Sequence, residues 1–233
     1  MINLQEVLAF EKPAKALDVG SRMGEFTARI KKALPEGSAV IGLDCCQETV
    51  NQANQKFADE GIQFVAGQGE SIPFEDASFD LVALSNTLHH IEEYEKVLQE
   101  MLRALKPGGI LMVNEMFSDD QNPAQITHYL QHSLEAKLDM LTGDYQRPAY
   151  QKAEIIAIVD KLKLNQLKSL EFRETPEYDQ KLAQKNQKLV AAVEKVKELP
   201  EYEQLKKEAQ SIVDRCQEMG IERGTQLLVW GEK

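Results

Sequence analysis

The chain has 233 residues, 42% of them hydrophobic and 28% charged, with a formal net charge of −11. This composition indicates a globular protein with a sizeable core, and the acidic balance argues against binding to a nucleic-acid backbone. No apolar run approaches the roughly 20 residues that span a bilayer, and the first residues lack the apolar region of a signal peptide. Three cysteines (Cys45, Cys46 and Cys216) without a Cys-x-x-Cys spacing indicate neither a disulfide framework nor a zinc site. We therefore expect a cytoplasmic protein with no membrane or nucleic-acid partner and no metal.

Short apolar runs alternate with helical stretches from residue 15 to residue 116. Strands are predicted at KALDVG (15–20), SAVIGLD (38–44), IQFVAGQ (62–68), FDLVALSN (79–86) and ILMVNEM (110–116), and helices at about 25–34, 47–61 and 92–105. Strands that are apolar on both faces and alternate with helices are typical of parallel sheets with right-handed crossovers. The sequence therefore predicts an α/β protein with a doubly wound, Rossmann-like sheet.

The pattern changes after residue 116. Helices are predicted at 122–141 and 151–164, and strands at 166–174 and 224–233. Between 175 and 220 apolar residues recur with helical spacing, most regularly at Leu205, Ala209 and Ile212, while Asn186 occupies a slot that should be apolar. Pro200 is a poor helix-interior residue, so this segment is predicted to form two antiparallel helices joined near ELPEY.

The turn after the first strand, in AKALDVGSRMGEFTARI (14–30), carries Asp18, Gly20 and Gly24. Glycines let the backbone approach a ligand closely, and the following helix offers free N–H groups to an anion. Asp44 ends the second strand, twenty positions after Gly24, where a carboxylate can accept both hydroxyls of a ribose. The alternative is that Asp44 caps the next helix. The turn alone is compatible with NAD, FAD or another nucleotide.

Four stretches in order resemble the class I S-adenosylmethionine-dependent methyltransferases, particularly the small-molecule group that includes quinone-biosynthesis enzymes. ALDVGSRMGEFT is similar to the family's first motif, and VIGLDCCQETV to its ribose-binding strand end. GQGESIPFEDASFDLVALSNTLHHI is similar to the third and fourth motif region, and LKPGGILMVNEM to the segment entering the fifth strand. The resemblance covers about residues 14–116.

The resemblance implies a seven-stranded sheet with an antiparallel last strand. It also implies S-adenosyl-L-methionine as cofactor, S-adenosyl-L-homocysteine as product, and in-line methyl transfer to a small molecule, catalysed mainly by positioning. The cofactor residues it implies are Asp18, Gly20, Ser21, Gly24 and Ser85 at the methionyl end, Asp44 at the ribose, and Cys45, Gln68 and Gly69 near the adenine. For Cys45, a half-buried small side chain without a binding role is an equal alternative.

Two residues depart from the family pattern. Arg22 stands where the family usually has its middle glycine, so its side chain either crowds the cofactor, points to solvent, or pairs with the cofactor's carboxylate. Gln68 replaces the usual aspartate, and its carbonyl can accept the adenine amino group without charge, which predicts modestly weaker recognition. These departures leave open a non-catalytic protein that binds adenosylmethionine or adenosylhomocysteine. A dinucleotide-dependent oxidoreductase is disfavoured because SRMG lacks the Gly-x-Gly-x-x-Gly spacing.

The catalytic residues are not identified by the sequence. The candidates are His89, His90, His128 and His132. For His89 and His90 a structural or cofactor-lining role is favoured over that of a base. For His128 and His132 the alternatives are lining an acceptor pocket and lying on a plain helix surface. Residues 1–174 and 221–233 are predicted to form the methyltransferase domain, with 175–220 as a helical insertion between the last two strands. We expect this insertion to be a lid over the acceptor, a homodimer surface, or an appendage packed only on itself.

Overall fold

A seven-stranded sheet forms the centre of the computed structural model, which describes residues 3–173 and 176–233. The strands are β1 (Lys15–Val19), β2 (Ala39–Asp44), β3 (Ile62–Ala66), β4 (Phe79–Ser85), β5 (Leu105–Met116), β6 (Asn165–Phe172) and β7 (Gln226–Glu232). Their order is β3-β2-β1-β4-β5-β7-β6. The pairs among β1 to β5 are parallel, and β7 is antiparallel to both of its neighbours. The predicted doubly wound sheet with an antiparallel last strand is confirmed.

Helices cover both faces of this sheet. They are α1 (Leu4–Leu8), α2 (Glu25–Ala33), α3 (Gln47–Lys56), α4 (Tyr94–Ala104), α5 (Pro123–Thr142), α6 (Lys152–Asp160), α7 (Pro176–Gln187), α8 (Leu189–Val193) and α9 (Tyr202–Met219). Alternation along β4 sends Leu81 and Ala83 to the cluster with α1 and α2, and Val82 and Leu84 to the cluster with α4 and α6. In the described ranges, no helix is long and apolar enough to cross a membrane.

Several element ends differ from the prediction. The helix predicted over 47–61 ends at Lys56, because Phe57 turns inward against Phe64 and the chain continues in turns to Gly61. The helix predicted to reach 164 ends at Asp160. Strand β5 begins five residues early and includes KPGG, because Leu105 already pairs with Phe79 of β4. Tertiary pairing therefore extended a strand through a sequence that favours a turn.

The segment between β6 and β7 is helical, but its predicted first arm is divided at Lys188 into α7 and α8. The division allows α8 and the turn after it to join a buried cluster with α5 and α9, formed by Leu134, Leu138, Leu189, Val193, Val196, Leu205, Ala209 and Ile212. Asn186 is buried beside this cluster and hydrogen-bonds the Cys216 thiol. The segment thus packs on α5, so the alternative of an appendage packed only on itself is wrong. Its boundary at Thr175 lies outside the described residues, and the division into two domains stays a prediction.

Candidate active site

A cavity of about 710 Å³ opens at the carboxyl ends of β1, β2, β3 and β4. Strand order reverses between β1 and β4, and ligands of open α/β sheets bind at such a switch point. The apolar part of the wall consists of Val19, Leu43, Ile91 and Val97. A volume of this size, with apolar walls and a few polar groups, is ordinary for a small-molecule site.

The structure brings together only some of the predicted cofactor residues. Gly20, Asp44, Cys45, Gln68 and Gly69 line the cavity. Asp18, Ser21, Gly24 and Ser85 lie outside the lining, and each has a structural contact instead. Contact between any of these nine residues and a cofactor stays a prediction.

Asp44 is held by the backbone on both sides. Its Oδ2 accepts the Arg22 N–H at 2.8 Å, and its Oδ1 accepts the Cys46 N–H at 3.0 Å. Cys46 precedes the first residue of α3, so the carboxylate also fixes the entrance to that helix. Each carboxylate oxygen has a second lone pair. The two functions suggested by the sequence, helix entrance and ribose acceptor, are therefore compatible in one side chain.

The two glycines of the turn serve close packing. Gly20 has φ +70°, and a Cβ there would lie 2.2 Å from Cγ2 of Thr87, whose hydroxyl donates to the Gly20 carbonyl at 3.2 Å. Gly24 has φ +81°, and a Cβ there would lie 2.5 Å from the Phe64 ring. Gly20 thus lets the turn approach the end of β4, while Gly24 packs against an aromatic side chain away from the cavity.

Asp18 faces α2 rather than the cavity. It shares its side of β1 with Ala16, and its Oδ2 accepts the Thr27 hydroxyl at 2.6 Å. Its Oδ1 is buried without a hydrogen-bond partner among the described residues. Burial raises the pKa of Asp18 to about 7, the Thr27 hydrogen bond opposes this, and the charge of Asp44 adds to it. Asp18 is therefore half protonated near neutrality.

Ser21 and Ser85 also have partners within the protein. The Ser21 N–H donates to the Leu43 carbonyl at 3.0 Å, and its side chain is buried against Gly42. The Ser85 hydroxyl accepts the Asn114 amide at 2.9 Å. Both serines join neighbouring strands at the carboxyl edge of the sheet.

Arg22 has φ +46°, in the left-handed region that favours glycine. Its backbone therefore adopts a conformation that glycine favours, while the exposed residue lines the cavity. Across the described ranges, no carboxylate forms an ion pair with this guanidinium. The turn tolerates arginine, and its charge is available to a ligand.

Three of the four histidines form contacts beside the cavity. His89 is buried, with Nδ1 2.8 Å from Oε1 of the fully buried Glu115 and Nε2 3.2 Å from Nε2 of His132. Gln146 approaches the same His132 nitrogen at 3.2 Å. This chain of side chains joins β5, the end of β4, α5 and the loop after α5. His90 stacks on His89 with ring centroids 4.3 Å apart and is the histidine that lines the cavity.

Burial keeps the imidazoles of His90, His128 and His132 neutral. It lowers the pKa of His90 to about 3, with further lowering by His89, Arg22 and Lys185. Burial likewise lowers the pKa of His132 to about 2, assisted by the neighbouring histidines. His128 lies one turn before His132 on α5, accepts the Gly224 N–H at 3.0 Å, and has its pKa lowered to about 3 by burial and Arg223. In the part of the chain that the structure describes, no group of three His, Cys, Asp or Glu side chains is placed to hold a metal ion.

The cavity also has a wall that sequence reasoning did not find. Asp139, at the end of α5, and Asp144 and Tyr145, in the loop after it, face the strand ends. No local signal identifies them, because only the packing of α5 across the sheet edge brings them to the cavity. Thr87, by contrast, lies within the quoted fourth-strand motif and was missed although its position after the strand was a usable signal.

Comparison with known proteins gives a family-model match and matches to curated proteins. Residues 17–113 match a family model described as a methyltransferase domain. A demethylmenaquinone methyltransferase from Staphylococcus epidermidis is 34% identical over 114 residues, which are 48% of this chain and 47% of that protein. Its counterpart from Staphylococcus aureus is 35% identical over 109 residues, 46% of this chain and 45% of that protein. The chain thus spans about half the length of the curated relatives it matches.

Solved structures extend the similarity of fold to the whole chain. The YcgJ protein of Bacillus subtilis has a TM-score of 0.62 at 19% identity, covering 99% of this chain and 96% of its own. A methyltransferase of Methanosarcina mazei has a TM-score of 0.62 at 13% identity, covering 100% and 98%. The cyclase SpnF has a TM-score of 0.64 at 18% identity, covering 98% and 79%. Residues 17–113 are thus similar to a methyltransferase domain, and the sheet order and the cavity at its switch point agree with that similarity.

Proposed function

We propose that the protein transfers a methyl group from S-adenosyl-L-methionine to a small-molecule acceptor. The observation that carries the proposal is the cavity at the switch point, with the fixed Asp44 carboxylate at its floor, inside the segment that matches a methyltransferase domain. In this assignment Asp44 accepts the ribose hydroxyls. Gln68 and Gly69, after β3, bind the adenine edge, with Leu43 and Val97 supplying apolar contact.

The protein contributes positioning rather than bond chemistry. When bound, the cofactor supplies an activated methyl group on its sulfonium. The protein then has to align the acceptor with that methyl group and exclude water from the site. Holding two reactants in attacking geometry contributes on the order of 7–11 kcal/mol. The backbone bonds of Asp44 fix the ribose site, and the stacking of His90 on His89, which Glu115 orients, fixes one side of the reaction space. His90 is neutral at physiological pH, and its ring can donate or accept a hydrogen bond at the acceptor.

The acceptor itself is proposed only by class. The curated relatives are demethylmenaquinone methyltransferases, so demethylmenaquinone is the first compound to test. The match to the family model ends at residue 113, however, and α5 and the loop after it, which form the outer wall of the cavity, lie beyond it. Acceptor choice in this chain is therefore proposed to depend on residues outside the match to the family model.

The helices between β6 and β7 are proposed to cover the acceptor space. Lys185 of α7 pairs with Glu135 of α5 at 2.6 Å, and its charge contributes to the lowered pKa values of His90 and His132. These interactions support a lid more directly than a homodimer surface. Deleting residues 176–219 is expected to leave cofactor affinity intact and to change acceptor turnover. A shift of oligomeric state alone, measured by sedimentation, would favour the homodimer instead.

A protein that binds the cofactor without transferring its methyl group is the second candidate. One observation favours it: the histidine that lines the cavity has a pKa of about 3, so it is a weak base for an acceptor that must lose a proton. The fold neighbour SpnF is a cyclase, which illustrates that this fold does not fix the reaction.

Calorimetry followed by an acceptor screen tests the proposal. We expect saturable binding of adenosylmethionine and adenosylhomocysteine and none of NAD. Transfer of a labelled methyl group to quinones or other small acceptors would establish the activity. Binding without any transfer would favour the second candidate, and no binding at millimolar ligand would overturn both.

A further inference from the structure

Arg22 is a charged residue held in a conformation that usually requires glycine. Its φ of +46° places it in the left-handed region, between two turn glycines that are also left-handed, Gly20 and Gly24. L side chains adopt this conformation rarely, and residues that retain it cluster at functional sites. The backbone N–H of Arg22 donates a hydrogen bond to the Asp44 carboxylate, but any residue other than proline could donate the same bond. The side chain therefore needs a separate explanation.

Arg22 lines the cavity, and its exposed side chain has no ion-pair partner among residues 3–173 and 176–233. This is notable in a chain with 38 acidic and 27 basic residues. Arg22 and His90 both line the cavity, and the charge of Arg22 contributes to the lowered pKa of His90, so the two side chains share one end of the cavity.

Strand order identifies which end of a ligand would meet this charge. The strands at the cavity run β3, β2, β1, β4, so the residues after them form a row: Gln68, Asp44, Arg22 and His90. With the adenine at Gln68 and the ribose at Asp44, the next part of the cofactor along the row is its amino-acid end. That end carries a carboxylate, which a guanidinium binds with two parallel hydrogen bonds.

We propose that the Arg22 guanidinium binds the carboxylate of the cofactor's methionyl group. The inference rests on the proposed function, since it takes adenosylmethionine as the ligand. It assigns to the arginine the role of an anchor that sets the position of the sulfonium along the row. Of the three sequence alternatives for Arg22, this one accounts for both the strained backbone and the unpaired charge.

A pair of ligands separates this role from a general effect on the cavity. Adenosylhomocysteine has the carboxylate, whereas 5′-methylthioadenosine has the same nucleoside and sulfur without the amino-acid end. Calorimetry on Arg22→Gln is expected to show at least a tenfold loss of affinity for adenosylhomocysteine and less than a twofold change for methylthioadenosine. Arg22→Lys keeps the charge but cannot form the two parallel hydrogen bonds of a guanidinium. It is expected to recover part of the lost affinity for adenosylhomocysteine.

Lys32→Gln is the matched control, because Lys32 is an exposed cation on α2 outside the cavity lining. It removes the same charge and should change neither affinity. Unchanged adenosylhomocysteine binding by Arg22→Gln would overturn the inference, and so would an equal loss for both ligands. If the wild-type protein binds neither ligand, the proposed function falls as well. Binding by the wild type without methyl transfer would remove only the catalytic proposal and leave the Arg22 anchor in place.

Discussion

Replacing Asp18 with asparagine is expected to stabilise the ligand-free protein at alkaline pH. The carboxyl group is buried, its Oδ2 accepts the Thr27 hydroxyl at 2.6 Å, and burial raises its pKa from 3.8 to about 7. Asparagine has nearly the same shape, and its amide oxygen can accept the same hydroxyl. The substitution thus removes a titrating group from the core and retains the hydrogen bond.

The sign and size of the expected change in unfolding free energy follow from proton linkage. Below pH 3.8 both the folded and the unfolded chain carry the proton, and the carboxyl group has no titration cost. As the pH rises to about 7, the unfolded chain loses the proton first, so the free energy of unfolding falls. At about 1.4 kcal/mol per pKa unit, the full loss above pH 7 is about 4 kcal/mol. The new amide N–H at the unpartnered Oδ1 position costs roughly 1–3 kcal/mol. The net gain is therefore about 1–3 kcal/mol at pH 8.5, with no gain or a small loss at pH 4.5.

Urea unfolding followed by the fluorescence of Trp230, the single tryptophan, measures this effect at the two pH values. Asp80→Asn is the control with the opposite sign. Burial alone would raise the pKa of Asp80, but its bonds to Lys106 at 2.7 Å and to the Lys15 N–H at 2.9 Å outweigh burial and lower it. That variant should lose stability at pH 8.5. An equal effect of Asp18→Asn at both pH values would refute the reasoning, because only ionisation distinguishes them.

Three further predictions concern other parts of the site. Asp44→Ala should weaken adenosylhomocysteine binding at least tenfold in calorimetry, because it removes both proposed ribose hydrogen bonds and the acceptor of the Arg22 and Cys46 backbone N–H groups. An affinity within twofold of wild type would contradict the ribose assignment. Gly20→Ala should lower the free energy of unfolding by about 2–4 kcal/mol, because a Cβ would lie 2.2 Å from Thr87 in a left-handed turn. Gly37→Ala is the control: it has similar backbone strain but a nearest atom at 3.5 Å, and should cost only about 1 kcal/mol. Equal costs of the two variants in urea unfolding would contradict the close approach of Gly20 to Thr87. His128 has a folded pKa of about 3, below its unfolded value of 6.5, so the free energy of unfolding should fall as the pH decreases from 6.5 towards 3. His128→Asn should reduce this pH dependence in urea unfolding. An unchanged slope of unfolding free energy against pH would show that other groups cause the fall.

The parallel half of the sheet could be predicted from the sequence because each of its strands is a local apolar run. Asp44 was predictable for the same reason: a residue at the end of a central strand must reach the carboxyl edge of the sheet. The ends of helices and strands were less predictable. The KPGG sequence (106–109) favours a turn, yet it lies within β5, because Leu105 pairs with β4 and both glycines hydrogen-bond the last residue of the chain.

Tertiary structure decided how the site is arranged around that local information. Side-chain alternation along β1 sends Asp18 to Thr27 of α2, while Val19 faces the cavity. Asp139 and Tyr145 reach the cavity only because α5 packs across the sheet edge on the helices that follow β6. The sequence by itself determined the strands of the parallel half and the carboxylate at the end of β2, since these depend on neighbours in the chain. The outer wall and the state of the buried ionisable groups depend on contacts between distant segments, and only the folded chain brings those together.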